Sequence, residues 1–135
     1  MKKRNRILHR FKKRLKGFAL LYIQGHLIFF ISCQRSESVD FNTQIKPIIN
    51  DKCITCHGGV KKNAGFSFLF EEEALGNTIE GTPAIIPGNS KKSRMIDRLH
   101  ETDLELRMPY EKPALSKKEM DLFTQWIDQG AKWGK

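Results

Sequence analysis

Cysteine is scarce in this sequence, with three residues among 135, at positions 33, 53 and 56. A structural zinc site wants four ligands, usually in two pairs, and the chain cannot assemble that set around Cys53 and Cys56. His9 and His26 stand in the first 32 residues, so His100 is the one spare histidine. The alternation of strands and helices that frames a thioredoxin-type cysteine pair is also missing. Acidic residues are absent from positions 1–16, which hold nine of the 24 Lys and Arg. The other fifteen bases therefore face fifteen acids. The body of the chain is formally neutral, and the net charge of +9 belongs to its first segment. That removes the electrostatic case for a nucleic-acid partner. No apolar run reaches the roughly 20 residues that span a bilayer. The longest, Gly17 to Ser32, has 16.

What is there begins with Cys53-Ile54-Thr55-Cys56-His57. Two thiols two residues apart, with histidine directly after, form the attachment signature of a c-type haem. The spacing serves the chemistry. Cys53 and Cys56 must reach the two vinyl groups of one porphyrin as thioethers. His57 must then place its imidazole under the iron as proximal ligand. With one such motif, the chain is expected to carry one covalent haem c, and a two-haem peroxidase is disfavoured.

The first segment reads as an export signal. A basic stretch, Met1 to Lys16, precedes the apolar run, and polar Gln34 to Ser38 follows. Phe30-Ile31-Ser32-Cys33 resembles a bacterial lipobox, which implies cleavage before Cys33 and lipidation there. The alternatives are an uncleaved N-terminal anchor and simple secretion. Every version sends the remainder across the cytoplasmic membrane, where covalent haem attachment takes place in bacteria. The expected layout is therefore residues 1–32 as signal peptide or anchor, 33–40 as linker and 41–135 as one haem domain in the bacterial cell envelope, facing the periplasm or exterior.

Within that domain Asp40 can cap a helix starting at Phe41. Ile45, Ile48 and Ile49 place its apolar face, Pro47 opens or kinks it, and it should run into Cys53. Gly58-Gly59 lets the backbone pass close to the porphyrin. Phe66 to Phe70 reads as a short extended segment, over the haem or in the core. Glu71 to Leu75 reads as a helical turn and 76–89 as loop. Asn89 or Ser90 can cap a helix over 91–100 with Met95, Ile96 and Leu99 on its apolar stripe. Ser116 and Glu119 make a capping box for a last helix that ends at Gly130. Its Phe123, Trp126 and Ile127 should cross the first helix near Ile45 and Ile49. Lys91-Lys92 and Lys117-Lys118 are read as solvated faces, with a docking patch for an acidic redox partner as the alternative.

The distal ligand is expected at Met108, in the loop Arg107-Met108-Pro109-Tyr110. A loop-borne thioether can be aimed across a porphyrin, and Pro109 keeps its predecessor off helical geometry. Met95 and Met120 lie on apolar helix faces, where methionine fills core space. His100 and an open sixth position are the rivals. Arg107 either pairs with a haem propionate or is solvated.

With these residues placed, the stretch from about Phe41 to Trp133 resembles a cytochrome c domain of the planctomycete type. The resemblance is carried by Ile45-Lys46-Pro47-Ile48-Ile49 before the haem motif, Ile86-Pro87-Gly88 with Ser93, Met108-Pro109, and Trp126 to Trp133. Tyr110 replaces a proline often found after Met-Pro. The resemblance implies an all-α, class I cytochrome fold of about three main helices around one covalent haem, with long loops. It implies His and Met ligation of the iron. With both axial positions filled, iron can only change oxidation state. The chain is therefore expected to be a membrane-tethered electron carrier and not an enzyme. It would exchange electrons with a redox protein donor and acceptor in trans. A haem sensor, in which Met108 gives way to a small ligand or a redox change, is the rival from another class.

Overall fold

A computed structural model describes residues 37–134 of the chain. The leader, its anchor or cleavage site and Cys33 fall outside these residues. Residues 37 to 135 form one compact unit.

Asp40 opens the fold as expected. Its carboxylate accepts from the Thr43 amide at 2.8 Å and the Thr43 hydroxyl at 2.7 Å. The first turn, Phe41–Ile45, is a π-helix whose Lys46 amide donates to the Phe41 carbonyl. Helix α1, Lys46–Lys52, follows. Pro47 explains the change of register. It lacks an N–H and cannot continue an α ladder, so it sits in the first turn of α1, where that donor is not needed. Ahead of it, the wider π turn spaces Phe41 and Ile45 so that both are buried.

After the haem motif the chain reverses in a hairpin. Strand β1, His57–Gly58, pairs antiparallel with β2, Lys61–Lys62. Gly59 takes φ +59° at the turn, where a side chain would be strained. Gly58 is required for space, because a Cβ there would stand 2.7 Å from the Ile54 carbonyl oxygen. Phe66, Ser67 and Phe68 are buried without forming a strand, while Leu69 and Phe70 are exposed. Helix α2 is Glu71–Leu75.

The middle helix is shorter than expected. A 3-10 turn, Ser90–Lys92, precedes α3, Arg94–His100, and Ser93 divides them. The cause is the buried Ser93 hydroxyl. It accepts from the Ile86 amide and donates to the Asn89 carbonyl, each at 2.8 Å. A serine so engaged competes with helical bonding. Asn89 caps the 3-10 turn by accepting from the Lys92 amide at 3.1 Å.

Helix α4, Lys117–Asp128, carries the expected capping box. Ser116 donates from its amide and hydroxyl to Glu119, at 2.7 and 2.8 Å. Gly130 ends the helix at φ +99°. Phe123, Trp126 and Ile127 are buried. Helix α4 packs on the π turn, residues 41–45, which carries the expected Ile45, and Ile49 joins the same buried cluster. Trp126 lies 5.7 Å, centroid to centroid, from Phe41 and 5.9 Å from Trp133. Its indole N–H donates to the Lys132 carbonyl at 2.8 Å. Two bonds tie the loop before α3 to the end of α4. Gly88 donates to the Ile127 carbonyl at 2.7 Å, and Ser90 donates to the Asp128 carboxylate at 2.8 Å.

The expectation of an all-α class I fold with about three main helices is overturned. The described residues form four short α-helices of 7, 5, 7 and 12 residues, with an antiparallel pair of two-residue strands. The reasons are local. Gly58-Gly59 turns the chain into a hairpin where a helix would otherwise continue. Ser93 cuts the middle helix. The Gly- and Pro-containing stretch 76–89 forms turns around the Asn77–Pro83 bridge. Among the described residues no helix is long and apolar enough to cross a membrane.

Candidate haem site

The attachment motif grows out of the end of α1. Cys53 caps that helix, donating to the Ile49 carbonyl at 2.8 Å, and His57 donates from its amide to the Cys53 carbonyl at 2.9 Å. The two thiols and the imidazole are thus fixed on one tight turn. The hairpin then locks the turn from outside. The Asn63 amide bonds to the Cys56 carbonyl at 3.2 Å and the Phe68 amide to the His57 carbonyl at 2.8 Å.

His57 Nδ1 lies 3.2 Å from the Phe66 carbonyl oxygen. A carbonyl can only accept, so the proton is on Nδ1 and the Nε2 lone pair is left for a metal. Phe66 also sets its ring edge-on to the imidazole, 5.2 Å away. Burial lowers the His57 pKa, against the opposing effect of the Phe66 and Asn63 backbone bonds. The neutral imidazole, the form that binds iron, is favoured. Burial likewise pushes the Cys53 thiol up to about 12.

Two adjoining cavities surround this turn. The larger, of about 230 Å³, is lined by Cys53 and His57 from the motif, Phe66 and Phe68 from the segment after the hairpin, Arg94, Met95, Arg98 and Leu99 from α3, and Met108. The smaller, of about 150 Å³, is lined by Cys53, Cys56 and His57 with Lys52, Leu99, Met108 and Lys112. Cys53, His57, Leu99 and Met108 border both. The structure therefore brings together Cys53, Cys56, His57 and Met108, which lie 55 positions apart at the extremes of the sequence. Met108 is held by its amide, which donates to the Arg98 carbonyl at 2.8 Å, and the Met108–Pro109 peptide is cis.

Other candidates fall elsewhere. His100 is exposed and borders neither cavity. Arg107 also borders neither, and its Nη2 donates to the Lys112 carbonyl at 3.0 Å. Met95, assigned to the core by its helical spacing, is indeed buried, yet it also borders the larger cavity. Arg94 and Arg98 line that cavity as well and were missed. The signal for them was their spacing of four on the helix whose Met95 and Leu99 make the apolar stripe. Lys91, Lys92, Lys117 and Lys118 are exposed, and Lys117 pairs with Asp121.

The donor set fits a haem and no bare metal. Among the described residues no group of three or more His, Cys, Asp or Glu converges on one point. A haem iron needs only two protein ligands, because the macrocycle supplies four. The cavities offer one nitrogen, two thiols and a thioether in mostly apolar walls.

The comparisons agree. Residues 53–111 match the profile of the family described as Planctomycete cytochrome C. A curated relative, hydrazine synthase subunit alpha of Kuenenia stuttgartiensis, is 24% identical over 132 residues, covering 76% of this chain. The chain spans about 16% of the length of that subunit. No solved structure matches.

Proposed function

Because this chain carries a planctomycete-type cytochrome c domain over residues 53–111, a family that implies haem c, we propose that it is a mono-haem electron carrier tethered to a bacterial membrane. The supporting observation is the convergence of Cys53, Cys56, His57 and Met108 on two adjoining cavities. Cys53 and Cys56 would hold the haem covalently as thioethers, the two thiols being the groups the chain offers for that attachment. His57 would offer Nε2 to the iron, its Nδ1 proton engaged by the Phe66 carbonyl, and Met108 would offer its thioether. When bound, haem c supplies one-electron redox chemistry. Phe66, Phe68 and Leu99 would keep water from the bound group and orient it. Thioether ligation favours a raised potential.

The tether is the lipid at Cys33 or the uncleaved anchor, and the working side is the periplasm or exterior. Donor and acceptor are separate redox proteins. The cofactor domain rests on the family match over residues 53–111, and the synthase activity of the longer relative is not carried over.

The test is expression with a c-type maturation system, followed by spectra of wild type, Met108→Ala and Met95→Ala. All three should retain haem through denaturation. The sulfur-to-iron charge-transfer band should vanish in Met108→Ala and persist in Met95→Ala. Loss in Met95→Ala alone would move the sixth ligand to α3. Met95 in the same cavity also favours a second reading, in which one thioether replaces the other and the protein is a haem sensor. Rapid carbon monoxide binding by the reduced wild type at neutral pH would support the sensor over the carrier.

A further inference from the structure

We propose that Arg94 and Arg98 anchor the two carboxylates of the haem, an assignment that rests on the haem reading above. The two residues stand one turn apart on α3, so they share a face. Met95 and Leu99 repeat the same interval beside them. Helix α3 thus gives the larger cavity an apolar row and a cationic row. A haem has the matching character, an apolar ring with two propionates on one edge.

The placement along the joined cavities agrees. Cys56 borders only the smaller cavity, whereas Arg94 and Arg98 border only the larger. Cys53, His57, Leu99 and Met108 lie where the two meet. The second thiol and the two guanidinium groups therefore stand at opposite ends of the space. The vinyl groups that cysteines attack and the propionates occupy opposite edges of a porphyrin.

The carboxylates on the wall of this cavity are Glu80 and Glu105. Arg98 donates from Nη1 to the Leu106 carbonyl at 3.2 Å and has no ion pair among the described residues. A cation at the mouth of an apolar cavity gains most from an anion brought by the ligand. Arg94 pairs with Glu80, whose side chain is 48% exposed. A solvated pair of this kind contributes little, so a propionate can take the place of Glu80. Arg107, the candidate from sequence, is occupied by the Lys112 carbonyl. Lys112 and Lys52 are at the thiol end.

The experiment uses the mature haem protein and the variants Arg94→Gln, Arg98→Gln, the double Gln variant, Arg94→Lys/Arg98→Lys, Arg107→Gln and Lys112→Gln. Haem content, midpoint potential at fixed pH and ionic strength, and the resonance Raman propionate modes are measured on each. Loss of a nearby cation favours Fe(III) over Fe(II). Each Gln variant should shift to lower potential with altered propionate modes, and the double variant should shift further than either single. The Lys pair should keep most of the potential but still alter the modes, because an ammonium cannot grip a carboxylate bidentately. Arg107→Gln and Lys112→Gln should leave the propionate modes as in wild type, even where the lost cation moves the potential. Should the double variant fail to load haem, the singles and the Lys pair decide. A shift in potential with unchanged propionate modes would overturn the anchoring, as would wild-type behaviour in both singles. A wild type that takes up no haem would sink the haem reading instead.

Discussion

His57 and Cys53 occupy one apolar wall, and burial drives both toward their neutral forms. For the histidine this is the ligating form. For the cysteine it means a thiol that stays protonated at neutral pH. Before attachment, Cys53 should therefore be slow to react with iodoacetamide. A pKa moved from 9.0 to about 12 cuts the thiolate fraction at pH 8 by roughly a thousandfold. Mass spectrometry of the haem-free protein should find Cys53 modified far more slowly than an ordinary free cysteine. The stability consequences have opposite signs. The Cys53 pKa is raised on folding, so its contribution is complete below pH 9 and declines as pH rises toward 12. The His57 pKa is lowered, so its contribution is present above 6.5 and declines as pH falls through the folded value. Urea titrations of the haem-free protein should show both declines, with the alkaline one reduced in Cys53→Ala and the acid one in His57→Gln.

At the scale of elements, α4 is the best determined by local chemistry. Replacing Ser116 with Ala removes the hydroxyl that accepts from the Glu119 amide and donates to its carboxylate, and should cost about 1 kcal/mol. Phe123→Ala, in the fully buried face, should cost about 3–5 kcal/mol. Chemical denaturation of the two variants would give both values. Gly58→Ala should be disproportionately harmful for one methyl group, about 1–3 kcal/mol, because the backbone oxygen of Ile54 cannot move aside. The elements that could be foreseen are those fixed by residues near in sequence: the Asp40 cap, the Ser116–Glu119 box, the Gly130 stop and the entry of α1 into the haem motif. Those that could not were fixed by distant partners. Nothing near Ser93 announces that Ile86 will claim its hydroxyl and split the middle helix. Nothing in Pro47 alone chooses a π turn over a kink. The hairpin arises because Gly58 must pass the Ile54 carbonyl, a contact visible only in three dimensions. The candidate site was legible for the same reason as the caps, since the haem motif is five consecutive residues. Met108 was expected from the chemistry of loops and thioethers, and the structure puts it on the wall of both cavities, whereas Arg94 and Arg98 come into view only with the cavity itself.

For the whole molecule, residues 37 to 135 make one compact unit. Exported behind another leader and matured, a chain starting at Glu37 should fold and show the same visible spectrum as the full-length protein. Circular dichroism and absorption would check this. The Met108 amide hangs from the Arg98 carbonyl, on the helix that also carries Met95 and Leu99. Ser93, at the head of the same helix, is bonded back to Ile86 and Asn89, and Ser90 is bonded to Asp128. The thioether is therefore suspended from a braced frame. Little nuclear motion should accompany a change in iron valence, and the activation cost of self-exchange should be correspondingly low.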